Sequence, residues 1–351
     1  MLHSIQAYRG IAVILVVLFH GTYKIGHYYG VDPFWGIFNY GFSGVYFFFV
    51  LSGFIILTAH IKDIGFPKQL SWYFKRRFIR IYPIYWLIFI TLGGWKLIST
   101  NINIEDFFLN ALLFMSDKGL VIPVAWTLLY EIIFYIVFSA FIINKKLGII
   151  TISIWFISIL LNWNSSSFVF FNHFNLLFIF GLLAAILCQN LIHIDANKKS
   201  LFLKISFGLG ILGFLVTSVY YSSLNTSVWA WQNHPVTIVG FGFASFLLVL
   251  SSASSEVEAA FKNRKTLKLI GDASYSIYLI HLWSLTEFFN LIRSLTERTT
   301  GIALNDGTGQ SLFLSSMLLS IIVILSVLVG IIVHLKVEQP LLLILRKRFI
   351  N

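Results

Sequence analysis

Cysteine, proline and charge are all scarce in this chain of 351 residues. There is one cysteine, Cys188, so no intramolecular disulfide can form and no metal site can be built from several thiolates. Six prolines leave long stretches without a helix breaker. Charged residues make up 11% of the chain, where soluble domains carry about 25%. Among the charged residues the acidic ones are the fewer, 14 against 25 lysines and arginines. The signature loops of many soluble enzymes are missing too. There is no G-x-S-x-G elbow, Walker loop, H-E-x-x-H helix or dinucleotide fingerprint.

What the chain has instead is apolar surface. Hydrophobic residues are 58% and aromatics 17%, with a mean hydropathy of +0.85. That balance predicts an all-α, polytopic integral membrane protein. A net charge of +11 in a soluble protein would point to nucleic acid. Here the basic residues cluster between apolar segments, so topology explains them and no nucleic-acid partner is implied. Residues 10–19 look like the core of a signal peptide, but no small-residue cleavage site follows; an uncleaved first helix is expected.

Apolar stretches long enough to span a bilayer fall at about 5–27, 41–60, 80–99, 123–144, 147–163, 173–193, 201–222, 234–252, 269–292 and 311–335. They predict a bundle of about ten transmembrane helices. With the N-terminus in the cytoplasm, only Lys24, Lys96, Lys118, Arg293 and Arg298 fall outside, and the other 20 of the 25 basic residues face inward. That asymmetry fits the positive-inside rule and places both termini in the cytoplasm. Pro67 marks the loop before the third segment, while Pro123 opens the fourth and Pro235 the eighth. The longest outer connections, 101–122 and 295–310, are too short to hold a separate domain.

Within this apolar background a few polar residues stand out. Arg9 and His20 share the first segment, eleven residues apart, so they lie on one helix face roughly 16 Å apart along the axis. An ionisable group inside a span is a functional candidate by default. A neutral imidazole can act as a general base or nucleophile, and a guanidinium near the inner surface can fork onto phosphate. The alternative makes Arg9 a surface anchor and His20 a packed histidine. In FKRRFIRIYPIYW, residues 74–86, Arg77 and Arg80 form a basic cluster at the start of a helix, suited to a polyanion or to anionic lipid headgroups. Glu131 sits inside the fourth segment, with Thr127 and Tyr135 on its face. It could orient His20, relay protons in a transporter, or serve as a hydrogen-bond hub. Ser274, Tyr278 and His281 form another polar stripe, with His281 the weaker catalytic candidate. Gly41, Gly44, Ser52 and Gly53 permit close helix approach.

Read together, these stretches resemble the acyltransferase-3 family of integral-membrane acyltransferases. The matching elements are Arg9-Gly10-Ile11-Ala12 with His20; Phe48-Phe49-Val50-Leu51-Ser52-Gly53-Phe54; and Arg77-x-x-Arg80-Ile81-x-Pro83-x-Tyr85-Trp86. They continue with Trp126-Thr127-Leu128, Glu131 and Phe134-Tyr135; Gly271-x-x-Ser274-Tyr275-x-x-Tyr278-Leu279-x-His281; and Glu338-x-Pro340. The resemblance implies a membrane-embedded acyltransferase domain over 1–340 and a short basic cytoplasmic tail over 341–351. It has the form of members without a fused SGNH hydrolase domain.

The implied activity is that of a membrane-bound O-acyltransferase in the bacterial inner membrane. It would move an acyl group, usually acetyl, from cytoplasmic acyl-coenzyme A to a hydroxyl of a lipid-linked or surface carbohydrate such as O-antigen or exopolysaccharide. Acyl-coenzyme A is then a co-substrate, with no permanently bound cofactor and no metal. In this reading Arg77 and Arg80, with Arg9, hold the donor phosphates, and the pantetheine arm runs along the first helix to His20. There His20 deprotonates the acceptor or carries the acyl group, and Glu131 orients it. Trp126 and Tyr130 offer flat walls to sugar rings, while Ser52, Tyr278 and His281 support. Membrane lipids are the remaining partner, and the sequence does not set the oligomeric state. A proton-coupled transporter or flippase of a lipid-linked glycan is the rival class, and a non-catalytic assembly partner a third.

Overall fold

A computed structural model of the chain describes residues 2–99, 104–114, 119–162, 169–222, 234–300 and 312–349. Among them every regular element is helical. The connections expected at 101–122 and 295–310, Lys118 within them, and the last two residues of the tail lie partly or wholly outside this set.

The described parts of the apolar stretches are helical, with the stretch from 269 divided between two helices. In chain order the helices are α1 (His3–Tyr29), α2 (Ser43–His60), α3 (Leu70–Ser99), α4 (Ile104–Ala111), α5 (Trp126–Ile143), α6 (Lys145–Leu161) and α7 (Asn175–Asn190). They continue with α8 (Ala196–Ser222), α9 (Pro235–Ser251), α10 (Ser255–Lys262), α11 (Lys265–Asp272), α12 (Ser274–Thr300), α13 (Leu312–Val333) and α14 (Gln339–Phe349). Among the described residues five helical segments are long and apolar enough to cross a membrane, or six if the bent pair α9–α10 is one span. The chain is a membrane protein of helical class.

Three boundaries differ from the sequence reading. The third helix begins at Leu70, not near residue 80, because its first turns are too polar to register in an apolar window although their helical bonds continue. The Arg77–Arg80 pair therefore lies within a helix rather than at its start. The segment expected to begin at 269 is cut at Ala273, so that α11 and α12 are separate helices. The basic tail is mostly helix: α14 follows α13 through one π-helical turn, His334–Glu338. Local signals explain other ends. Asn144 alone separates α5 from α6, and its side chain accepts the Lys146 and Leu147 amides, satisfying two of the donors that a helix start leaves open. Pro235 opens α9, where a missing N–H costs nothing.

The chain divides into two compact units. The first comprises residues 1–5, 46–263 and 341–351, the second residues 6–45 and 264–340.

In the first unit α2 meets α7 at Gly53 and Gly181. A β-carbon on Gly181 would run into the Val50 carbonyl, and one on Gly53 into that of Phe178. Small residues bring backbones together in this way where the solvent is hydrocarbon. Aromatic rings fill the space beside them. Phe134 stacks on Phe178 with centroids 4.5 Å apart. Tyr85 and Trp86 of α3 donate to the Asn110 and Ala111 carbonyls at 2.5 and 2.8 Å, tying α3 to the open C-terminal end of α4.

In the second unit α1 packs on α11 and α12. A β-carbon on Gly271 would meet the Gln6 carbonyl, which accounts for the glycine. Between α1 and α2 the backbone turns left-handed at Phe34, Trp35 and Gly36. The Ser316 hydroxyl accepts the Phe34 amide at 2.9 Å there.

Candidate functional site

The polar residues picked out in the sequence cluster within each unit. In the second unit they line the seam between α1 and α12. Ser274 and His281 are seven residues apart on α12 and so share a face; each meets one of the two candidates on α1. Arg9 donates to Gln6 Oε1 at 3.0 Å and to Ser274 Oγ at 2.8 Å. His20 Nδ1 lies 2.9 Å from the Val16 carbonyl and 3.1 Å from His281 Nε2.

Proton positions follow from these partners. The Tyr278 carbonyl, 2.6 Å from His281 Nδ1, can only accept, so that nitrogen carries the proton. Nε2 of a neutral His281 is then an acceptor. His20 Nδ1 faces two acceptors, Val16 oxygen and His281 Nε2, and must be its protonated nitrogen. What remains is Nε2 of His20, with a lone pair and no hydrogen bond to any described residue. His281 is 0% exposed, whereas His20 is half-buried. One ring is a fixed support and the other has a free nitrogen.

A second buried cluster closes this unit. Glu338 is fully buried and accepts from the Ser276 hydroxyl at 2.7 Å, with His334 Nδ1 at 2.8 Å. The Glu338-x-Pro340 element thus ties α12 to the π-helical turn after α13.

In the first unit the seam joins α2, α3 and α5. Ser52 and Tyr135 both donate to one oxygen of Glu131, at 2.9 and 2.5 Å. The Tyr135 carbonyl accepts from the Tyr73 hydroxyl at 2.9 Å. The Arg77 guanidinium lies 5.6 Å from the centre of the Tyr135 ring, within cation–π range. It donates to His60 Nε2 at 3.0 Å, and His60 Nδ1 lies 2.7 Å from Asp63. Arg77 and Arg80 are half-buried while Arg76 is exposed. Arg77 Nε is buried with no hydrogen-bond partner among the described residues, a deficit costing about 1–3 kcal/mol unless an acceptor arrives.

Within its own unit the His20 ring is held by His281 and the Val16 carbonyl. Glu131 has Ser52 and Tyr135. Tyr130 is 7% exposed and packs with Trp126, Phe49 and Phe174 at centroid distances of 5.5, 5.8 and 5.7 Å. Of the expected sugar walls, Trp126 is the half-exposed one. Sequence reasoning passed over His60, Asp63 and Tyr73. A histidine closing an apolar run, with an aspartate three residues on, was the available signal.

Comparison with known proteins supplies the class of chemistry. The sequence model of the acyltransferase-3 family, described as an acyltransferase domain, matches residues 2–335. The chain belongs to that family. It is an acyltransferase by membership. It is also similar to the exopolysaccharide production protein ExoZ of Rhizobium meliloti (strain 1021), 24% identical over 344 residues, covering 93% of this chain and 94% of that protein. No solved structure matches.

Proposed function

We propose that the protein transfers an acyl group, most simply acetyl, from cytoplasmic acyl-coenzyme A to a hydroxyl of an exopolysaccharide-type or lipid-linked glycan. The observation that carries this reading is the state of His20. Its Nδ1 proton is committed to Val16 and His281, and its Nε2 lone pair has no described partner. Nε2 takes the acceptor hydroxyl proton as the oxygen attacks the thioester carbonyl; the C–S bond breaks, and the proton passes to the departing thiolate. Carrying the acyl group on Nε2 is the second route through the same nitrogen.

Arg77 and Arg80 supply the cations that a coenzyme A phosphate needs. The unpaired buried Nε of Arg77 supports that role, because guanidinium forks match phosphate oxygens. Trp126 offers a flat apolar face to a sugar ring. The similarity to ExoZ supports a polysaccharide acceptor. The proposed topology is ten spans in the bacterial inner membrane with both termini cytoplasmic, from the 20-to-5 distribution of basic residues.

Purified protein given radiolabelled acetyl-coenzyme A and a lipid-linked glycan is expected to label the glycan, and His20→Ala to abolish the label in a folded protein. Full labelling by His20→Ala removes His20 from the chemistry. No labelling by the wild type, with gradient-driven glycan movement in vesicles, favours a transporter instead.

A further inference from the structure

A guanidinium can only donate hydrogen bonds, and a terminal nitrogen of Arg77 lies 3.0 Å from His60 Nε2. That ring nitrogen must hold the lone pair. The imidazole proton is therefore on Nδ1, where the Asp63 carboxylate accepts it at 2.7 Å. One arrangement of protons satisfies the aspartate, the histidine and the arginine at once. His60 is 1% exposed and its ring stands edge-on to Tyr73, centroids 4.9 Å apart. The ring cannot turn without breaking that packing. On its other side the guanidinium is backed by the Tyr135 ring.

We infer that His60, oriented by Asp63, is the positioning residue for Arg77. It fixes the guanidinium so that its unpaired Nε–H is kept for a phosphate of the donor. The inference rests on the acyl-coenzyme A reading above. An arginine otherwise samples many rotamers, and ordering one costs side-chain entropy. A neutral acceptor at the back of the guanidinium meets that cost before the ligand arrives, and it leaves the positive charge unneutralised for phosphate. An acidic residue in the same place would hold the side chain as firmly but would cancel the charge.

The test compares His60→Leu, His60→Gln and Asp63→Ala with the wild type in steady-state acetyl transfer. Loss of one hydrogen bond to a charged group predicts that His60→Leu raises the KM for acetyl-coenzyme A about tenfold, with the acceptor KM unchanged. His60→Gln keeps an acceptor oxygen facing Arg77 and is expected to restore most of the loss. Asp63→Ala shifts the donor KM in the same direction by less; its side chain is one-quarter exposed, so it carries the decision if the buried variant fails to fold. In an Arg77→Ala background His60→Leu is expected to have no further effect, which a purely structural role would not produce. Donor KM values equal to wild type in His60→Leu and Asp63→Ala, or effects that add in full to those of Arg77→Ala, overturn the inference. Wild type that does not saturate with acetyl-coenzyme A overturns the donor reading and this inference with it.

Discussion

Replacing His281 with leucine separates the two imidazoles by role. In the wild type the His20 Nδ1 proton is shared between the Val16 carbonyl at 2.9 Å and His281 Nε2 at 3.1 Å. Leucine removes one acceptor and leaves the other. The proton therefore stays on Nδ1, and Nε2 keeps its lone pair. The expected loss is that of one neutral hydrogen bond, about 1 kcal/mol, or roughly fivefold in kcat by transition-state arithmetic. Removing the base itself by His20→Ala is expected to cost about 10²–10⁴-fold. The assay is initial-rate transfer from labelled acetyl-coenzyme A at saturating donor and acceptor, with a thermal melt in detergent to confirm folding. Because His281 is 0% exposed, His281→Gln serves as the polar control. A loss in His281→Leu as large as that in His20→Ala would mean that the base is His281 or that the pair titrates as one unit. Either result refutes the assignment of roles.

Arg77→Ala is expected to raise the acetyl-coenzyme A KM by about ten- to a hundredfold, as for a hydrogen-bonded charge, with the acceptor KM unchanged. Arg77→Lys should restore little, since an ammonium lacks the fork; equal losses for both substrates would point to a structural role. Gly181→Leu forces side-chain volume against the Val50 carbonyl, and overpacking of about 1–3 kcal/mol or more should lower the melting temperature clearly. An unchanged melt would show that α2 and α7 are free to part. Glu256, at the start of α10, accepts from Ser200 and Ser254 and pairs with Lys204 at 3.0 Å. These bonds, Ser200's first, hold its carboxyl well below the usual carboxylate range. A depressed folded value gives a contribution present above the ordinary carboxylate pKa and lost as pH falls through the folded one. Glu256→Gln should therefore melt slightly below wild type at neutral pH, and the gap should close on acidification. A gap independent of pH would refute the argument.

Much of the helical layout was legible because a bilayer demands long apolar runs with internally satisfied backbones. Those runs are readable one residue at a time. The errors came where polarity and helicity part company. The first turns of α3 carry Lys75, Arg76 and Arg77 yet stay helical, and the break at Ala273 has no proline or apolar gap to announce it. Candidate residues were legible as isolated ionisable groups in apolar segments. Their partners were not. The His20 ring is held by His281, 261 residues away in sequence. His60 was overlooked because a histidine at the end of a span is unremarkable until an arginine 17 residues later is seen to donate to it.

By itself the sequence determined the helical membrane class of the protein and the family to which it belongs. Composition, charge asymmetry and motif order are properties of the chain read along its length. Only the tertiary structure decided which nitrogen of His20 keeps a lone pair and which arginine is held from behind. The physical reason is that a proton on an imidazole is placed by the acceptors around it. Those acceptors come from another turn or another helix, brought within about 3 Å by packing that no local pattern records.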